Sequence, residues 1–281
     1  IGKKDSDLKR AVLYFFIYCP LGIICPLIGQ YLTSIGFNGT QVGIITSLGT
    51  GTAVLAGLFW GKIYANSHKK RTILSAMCLS AAFFGLMTTS TYNFILYALL
   101  YSCMYFFQGP VHGLSDAFVI SKSTNFSAIR AVGAFGYAAA VFVAGKYADA
   151  HGLTGIFYMY AAAFFITACL ILTENEPLMH KEEKEKIKIS ELFQEKNFVK
   201  LLVAVFFLMG TNVANSTYFG FLFTQQGGDV EGIGVAFLLM AGSEAPFMAL
   251  TPKLSKKIGS EKLLLAAMIL TVIRFAFYST G

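Results

Sequence analysis

The chain alternates between long apolar stretches and short polar ones. Nine stretches, each close to the length of a membrane span, carry few or no charged side chains, and they cover residues 11–33, 41–62, 72–90, 93–118, 128–148, 153–173, 198–225, 231–252 and 262–281. An α-helix needs about 20 apolar residues to cross the hydrocarbon core of a bilayer. The stretches lack the strict alternation of barrel strands, so their backbone groups must be satisfied within helices. The pattern predicts an all-α polytopic membrane protein.

Composition and charge agree with this class. Of the 281 residues, 56% are hydrophobic and 13% are charged, whereas a soluble domain has about 25% charged residues. Lys and Arg gather before the first stretch and after the even-numbered ones, and they are absent from segments 34–40, 91–92, 149–152 and 226–230. This bias places the N-terminus and the basic loops in the cytoplasm. We therefore expect a multi-pass protein of the cytoplasmic membrane, whose net charge of +7 needs no nucleic-acid partner.

One charged segment divides the chain. Residues 174–197 include the run from Lys181 to Lys186 and separate six apolar stretches from three. The predicted domains are a six-helix bundle over 1–173, a cytoplasmic linker over 174–197, and the first three helices of a second bundle over 198–281. Within the linker, residues 187–193 have amphipathic character, and an interfacial helix and a flexible linker remain open alternatives. The chain lacks an initiator Met and stops inside a span, so we expect a truncated protein.

The two halves share a weak repeat with an offset of 191 residues. The matched pairs are Gly36 and Gly227, Val42 and Ile233, Gly43 and Gly234, Leu48 and Leu239, Gly51 and Gly242, Lys62 and Lys253, Ile63 and Leu254, and Leu74 and Leu265. Repeated halves recur in secondary transporters, which bind their substrate where the halves meet.

Four ionisable side chains lie inside the apolar stretches: Asp116, Arg130, Glu244 and Arg274. Charge within the hydrocarbon is costly, so such residues usually mark a substrate or ion pathway. Asp116 and Arg130 flank one short loop and are expected to face each other, either as a switchable pair or as a permanent structural tie. Glu244, near the middle of its stretch, could take up and release a proton, and Arg274 could neutralise it.

Uncharged polar residues add further candidates. The seventh stretch carries Asn212 and Asn215 among several hydroxyls, which indicates either a face towards water or substrate, or hydrogen bonding between helices. Tyr18 suits ring stacking, and His112 could relay protons or simply pack. We assign substrate binding to Arg130, Asp116, Asn212, Asn215 and Tyr18, and proton coupling to Glu244, Asp116 and Arg274.

No pattern indicates an enzyme. The sequence has no phosphate-binding glycine loop, no metal-ligand spacing and no nucleophile–base motif, and its five Cys are scattered over different stretches. We expect no enzymatic activity, no cofactor and no metal.

Several motifs together resemble a known family. They are Tyr14-Phe15, Gly22, Pro26, Tyr31-Leu32, Gly36-Phe37 and Val42-Gly43 early in the chain, then Pro110, Leu114-x-Asp116-Ala117, Arg130-x-x-Gly133-x-x-Gly136-Tyr137, Ile233-Gly234, Glu244, Pro252-x-Leu254, Lys257-Ile258-Gly259-x-x-Lys262-Leu263-Leu264-Leu265 and Val272-x-Arg274. Over essentially its whole length the chain resembles the major facilitator superfamily, in particular the branch of lactose permease and the phenylpropionate and nucleoside proton symporters.

The resemblance implies two six-helix bundles that work by alternating access, of which this chain would hold about nine helices. It implies proton-coupled symport of a small polar solute (a sugar, a nucleoside or an aromatic acid) by a monomer in the lipid bilayer. Arg130 would bind sugar, Glu244 would join sugar and proton binding, and Asp116 would match the acid of the phenylpropionate type. A departure follows Gly61, where the family's acidic gating residue is absent. A proton-driven exporter and a non-transporting sensor remain alternatives.

Overall fold

The computed structural model describes residues 2–120, 126–176 and 193–279, and these contain helices but no strand. The ten helices are α1 Gly2–Ile24, α2 Ile28–Ser34, α3 Gly39–Asn66, α4 Lys70–Thr88, α5 Phe94–Ile120, α6 Phe126–His151, α7 Gly155–Leu172, α8 Lys196–Gln225, α9 Val230–Ile258 and α10 Ser260–Ser279. Within the described residues each of the nine predicted stretches is mostly helical, and the first is divided between α1 and α2. The predicted all-α membrane class is confirmed.

Seven segments in the described residues are long and apolar enough to cross a membrane. They are Asp7–Ser34, Gly39–Asn66, Lys70–Thr88, Phe94–Ile120, Ala128–His151, Gly155–Leu172 and Lys196–Gln225. Val230–Met240, in α9, is a shorter apolar helical segment among the residues described. The chain is therefore a multi-pass membrane protein.

Local sequence explains several helix boundaries. Pro26 lies in the break between α1 and α2, as expected for a residue that lacks a backbone N–H. Asn38 starts α3 with a reciprocal cap: its side chain accepts a hydrogen bond from the Gln41 N–H at 2.9 Å, and the Gln41 side chain accepts one from the Asn38 N–H at 3.0 Å. These bonds satisfy backbone donors that the first helical turn leaves open.

The weak repeat extends to the helix boundaries. α2 and α8 end at Ser34 and Gln225, and α3 and α9 begin at Gly39 and Val230, so both boundary pairs keep the 191-residue offset. Between them, Gly36 and Gly227 have φ angles of 98° and 89°. Only glycine adopts this left-handed conformation at no steric cost. The same turn chemistry therefore joins corresponding helices in both halves.

The described residues form two compact units. One contains those of Ile1–Met179 and Thr217–Gly242, and the other those of His180–Ser216 and Ser243–Gly281. In the first unit α1 packs against α6 and α7, α3 packs against α5, and α4 packs against α5 and α7. The domain boundaries expected at residues 173 and 197 stay predictions, because most of the linker, including nearly all of 187–193, lies outside the described residues.

Small residues allow α1 and α6 to pack closely. A Cβ at Gly136 would collide with the Phe15 carbonyl oxygen, and one at Gly22 would collide with the Tyr137 carbonyl oxygen. Membrane helices lack a hydrophobic force between them and associate through such close backbone packing. This contact fixes which face of α1 lies towards α6.

Candidate functional site

Five side chains of the first unit form a polar group inside the membrane spans, which we call the intramembrane cluster: Tyr14 and Tyr18 on α1, His112 and Asp116 on α5, and Arg130 on α6. Residues four apart on a helix lie on one face, so α1 presents both tyrosines together and α5 presents the histidine and aspartate together. The close packing of α1 on α6 brings the arginine to the same place.

The carboxylate of the cluster is held by a phenol. The Tyr14 hydroxyl donates a hydrogen bond to Asp116 Oδ1 at 2.7 Å, and the Tyr14 side chain is fully buried. Its ring packs edge-on against Phe126, with the centroids 5.9 Å apart. Hydrogen bonds to a charged acceptor are stronger than neutral ones. Asp116 thus joins α5 to α1 and keeps further acceptor positions on its two oxygens.

The guanidinium of the cluster is held by an aromatic ring. The Arg130 guanidinium carbon lies 4.2 Å from the centroid of the Tyr18 ring, which is the geometry of a cation–π interaction. No ion pair links Arg130 to Asp116, although both residues are described. The two charges expected to face each other are therefore brought into one cluster but take separate partners. Arg130 also hydrogen-bonds the Tyr18 side chain, and its guanidinium carries five N–H donors in all, more than this one contact uses.

His112 and Gly133 complete the surroundings of Tyr18. The His112 and Tyr18 rings lie 4.8 Å apart at an angle of 55°. On the α6 side, a Cβ at position 133 would lie 2.7 Å from Tyr18 Cδ2, which is closer than packed carbon atoms approach. Gly133, part of the Arg130-x-x-Gly133 motif, therefore has to lack a side chain for the Tyr18 ring to pack there.

A second polar contact lies in the other unit. Arg274 Nη2 donates a hydrogen bond to Asn212 Oδ1 at 3.1 Å, and Asn215 is buried with 6% of its surface exposed. Glu244 lies on α9, but its side chain is outside the described part of the chain. The expected neutralisation of Glu244 by Arg274 therefore stays a prediction. Asn212 and Asn215 belong to this unit, whereas Tyr18, Asp116 and Arg130 belong to the first.

Two further members of the cluster could be recognised from the sequence. Tyr14 and His112 each stand one helical turn before an assigned site residue, Tyr18 and Asp116 respectively. Residues at that spacing lie on one face of a helix, which is sufficient to place each of them beside its assigned neighbour. The choice of partners, with Asp116 bonded to Tyr14, depends on how α1 is rotated against α5 and has no local sequence signal.

Comparisons with known proteins agree with this architecture. The chain is 32% identical over 275 residues to the maltose permease of Geobacillus stearothermophilus, a match that covers 95% of the chain and 70% of the permease. It is 28% identical to the uncharacterized transporter YwbF of Bacillus subtilis (strain 168), covering 95% of the chain and 69% of YwbF.

A solved structure and a family model complete the comparison. The crystal structure of the nucleoside transporter NupG superimposes with a TM-score of 0.82 at 19% identity, covering 98% of the chain and 74% of NupG. At that identity the likeness shows the fold. The model of the MFS_1 like family matches residues 8–281. The resemblance to the major facilitator superfamily is thereby confirmed, and the chain belongs to the MFS_1 like family of membrane transporters.

Proposed function

We propose that the protein is a proton-coupled symporter that carries a neutral sugar across the cytoplasmic membrane by alternating access. The observation that carries the proposal is the intramembrane cluster, which holds a carboxylate and a guanidinium side by side without pairing them. Charges inside a membrane span mark substrate and ion pathways. The helix boundaries repeated at a 191-residue offset support alternating access, because transporters of this kind are built from repeated halves.

The chemistry of the cluster favours a neutral polyhydroxylated ligand. A sugar hydroxyl can donate to Asp116 and accept from Arg130 at the same time. An aromatic acid would bring its own carboxylate next to Asp116, and like charges at close range disfavour binding. The 32% identity to a maltose permease supports the same choice. Among sugars, maltose is therefore the first ligand to test.

Proton coupling is assigned to Glu244, Asp116 and Arg274. Glu244 lies on α9, within the apolar stretch 231–252 of the sequence, where a carboxyl that alternates between proton-bound and ionised forms would bias two conformations of the protein. Arg274 carries its charge on α10 and already donates to Asn212. In this proposal it stabilises the ionised form of Glu244 after proton release.

The test uses the full-length protein in liposomes that contain a pH-sensitive dye. Maltose, uridine and phenylpropionate are added in turn to native protein, to Glu244→Gln and to a matched control, Glu261→Gln, whose carboxyl is exposed at the start of α10. We expect maltose to drive protons inward with native protein and with Glu261→Gln, and we expect no proton movement with Glu244→Gln. A response to uridine or phenylpropionate instead would overturn the sugar assignment. Silence from folded native protein would contradict symport.

A further inference from the structure

His112 has a hydrogen-bonding position that nothing in the described structure fills. The imidazole hydrogen-bonds the backbone carbonyl of Ile17 on α1. The ring nitrogen Nε2 is buried and has no partner among the described residues. A buried polar atom without a partner is uncommon in a native protein and calls for a specific explanation.

The bond to Ile17 determines what Nε2 can do. A carbonyl oxygen only accepts, so the ring nitrogen that contacts Ile17 must carry a proton, and Nε2 is excluded because it has no partner. The proton therefore resides on Nδ1. In a neutral imidazole the other nitrogen keeps its lone pair. Nε2 of His112 is thus a hydrogen-bond acceptor, and no donor among the described residues contacts it.

The position of this acceptor connects it to the proposed binding site. His112 stands one helical turn before Asp116, and its ring lies 4.8 Å from the ring of Tyr18. The guanidinium carbon of Arg130 lies 4.2 Å from the centroid of the same Tyr18 ring. One tyrosine is therefore contacted by Arg130, which has five N–H donors, and by His112, whose Nε2 is an acceptor without a partner among the described residues. Two neighbouring hydroxyls of a sugar present the complementary set.

We propose that His112 Nε2 accepts a hydrogen bond from a hydroxyl of the transported solute, and that His112 thereby selects hydroxylated ligands over their deoxy analogues. This inference rests on the proposed function, because it assigns a specificity role within the same cluster. A site built to hydrogen-bond a hydroxyl rejects the analogue that lacks it, since the buried acceptor is then left unpaired. His112 is a binding residue in this proposal, and it transfers no proton.

The experiment measures initial uptake of radiolabelled maltose and of its mono-deoxy derivatives by the full-length protein in liposomes. The variants are His112→Phe, which keeps a flat ring but has no acceptor, and His112→Gln, whose side-chain oxygen reaches a similar position. His151→Phe is the matched control, because His151 stacks on Tyr147 at 4.6 Å at the end of α6, away from the cluster. Thermal unfolding of each purified variant reports folding separately.

We expect His112→Phe to raise the KM for maltose about tenfold, the loss typical of one hydrogen bond made to a substrate, with kcat nearly unchanged. His112→Gln should recover most of the affinity. One mono-deoxy maltose should bind weakly to native protein and should be no further weakened by His112→Phe. A purely structural histidine would instead lower the amount of folded protein or kcat for every ligand alike.

The outcomes separate this inference from the proposed function. Uptake of maltose by native protein together with a native KM in folded His112→Phe would overturn the role of His112 and leave sugar transport intact. If His112→Phe does not fold, a native protein that accepts every mono-deoxy maltose equally well overturns the inference by itself. If native protein transports uridine and not maltose, the sugar proposal fails, and the same comparison with 2′,3′-dideoxyuridine decides the role of His112.

Discussion

Two groups of charged side chains in the first unit differ in their partners: in one, charges pair with opposite charges, and in the other they contact neutral groups. One is the intramembrane cluster, and the other, which we call the helix-end cluster, lies where α7 ends and where α1 and α4 begin: Asp7, Lys9, Arg10, Arg71, Glu174 and Glu176. In the helix-end cluster each of these side chains forms an ion pair with one of opposite charge. Glu174 lies 3.5 Å from Lys9 and 3.9 Å from Arg10, and Arg71 lies 3.4 Å from Glu176.

The helix-end cluster also satisfies backbone groups. Arg71 donates to the carbonyl oxygens of Leu172 at 3.4 Å and Glu174 at 3.2 Å, and Lys9 donates to that of Thr173 at 2.7 Å. The last carbonyls of a helix lack partners within the helix, and cations near that end are favourable. These charges therefore fasten the end of α7 to the starts of α1 and α4.

The comparison indicates what makes a charged residue available for a ligand. In the intramembrane cluster the carboxylate is bonded to a neutral phenol and the guanidinium lies on an aromatic ring. Each group is held in place, yet neither charge is cancelled by its opposite. Charge pairing in the helix-end cluster should therefore contribute to stability, whereas separate pairing in the intramembrane cluster should contribute to transport. Four substitutions test this division.

The largest effect on transport is expected from Arg130→Lys. Lysine keeps the charge but lacks the planar fork that binds two oxygens at once, so kcat/KM for maltose should fall about 10- to 100-fold, equivalent to roughly 1.5–3 kcal/mol. Thermal unfolding should change little. Arg71→Lys is the matched control, because its ion pair survives the change, and its uptake should be native. Equal losses of uptake in both variants would contradict the division.

Glu174→Gln is expected to lower stability and to leave transport unchanged. Glu174 is 7% exposed and contacts two cations, so leaving those cations without their anion should lower the free energy of unfolding by about 1–3 kcal/mol. Uptake per folded molecule should be unchanged.

Glu176→Gln provides the control for that measurement. The Glu176 side chain is 32% exposed, and exposed ion pairs contribute about 0–1 kcal/mol. Thermal unfolding in detergent gives the stability of both variants, and liposome uptake gives their activity. Loss of transport in a folded Glu174→Gln protein would show that the helix-end cluster does more than stabilise.

Gly133→Ala should lower both stability and transport, and its effect on transport should be smaller than that of Arg130→Lys. The added methyl group would meet Tyr18 at 2.7 Å, and inserting a methyl group into a packed site costs about 1–3 kcal/mol. Because the Tyr18 ring is contacted by both His112 and Arg130, its displacement should also raise the KM for maltose several-fold. Gly113→Ala, with nothing within 4 Å of the new Cβ, should leave uptake and stability native. A native KM in Gly133→Ala would show that Tyr18 does not need this position.

The sequence predicts the fold well because membrane spans are a strong local signal. Within the described residues every apolar stretch is mostly helical, and the helix break at Pro26 follows from one missing N–H. The sequence also named Tyr18, Asp116 and Arg130, since polar residues in spans stand out against apolar neighbours.

What the sequence could not supply is the pairing between helices. Asp116 and Arg130 flank one loop, and that proximity predicted a direct contact, but Asp116 bonds to Tyr14 instead. The outcome depends on how α1 is rotated against α5 and α6, and that rotation is set by tertiary contacts such as Gly136 on the Phe15 backbone. No single stretch encodes such a contact, so a local pattern cannot predict it.

The smallest effect is expected from Tyr14→Phe, which removes one hydroxyl and keeps the ring against Phe126. The Asp116 carboxylate loses a donor at 2.7 Å, a loss of about 0.5–1.5 kcal/mol, so kcat/KM for maltose should fall about 2- to 10-fold. Tyr64→Phe is the matched control, because the buried Tyr64 hydroxyl has no hydrogen-bond partner among the described residues and its removal should cost nothing. If Tyr14→Phe reduced only the unfolding temperature and left uptake native, the phenol would merely fasten α1 to α5. Asp116 would then contribute to stability, as the charges of the helix-end cluster do. Arg130 alone would distinguish the intramembrane cluster by contributing to transport.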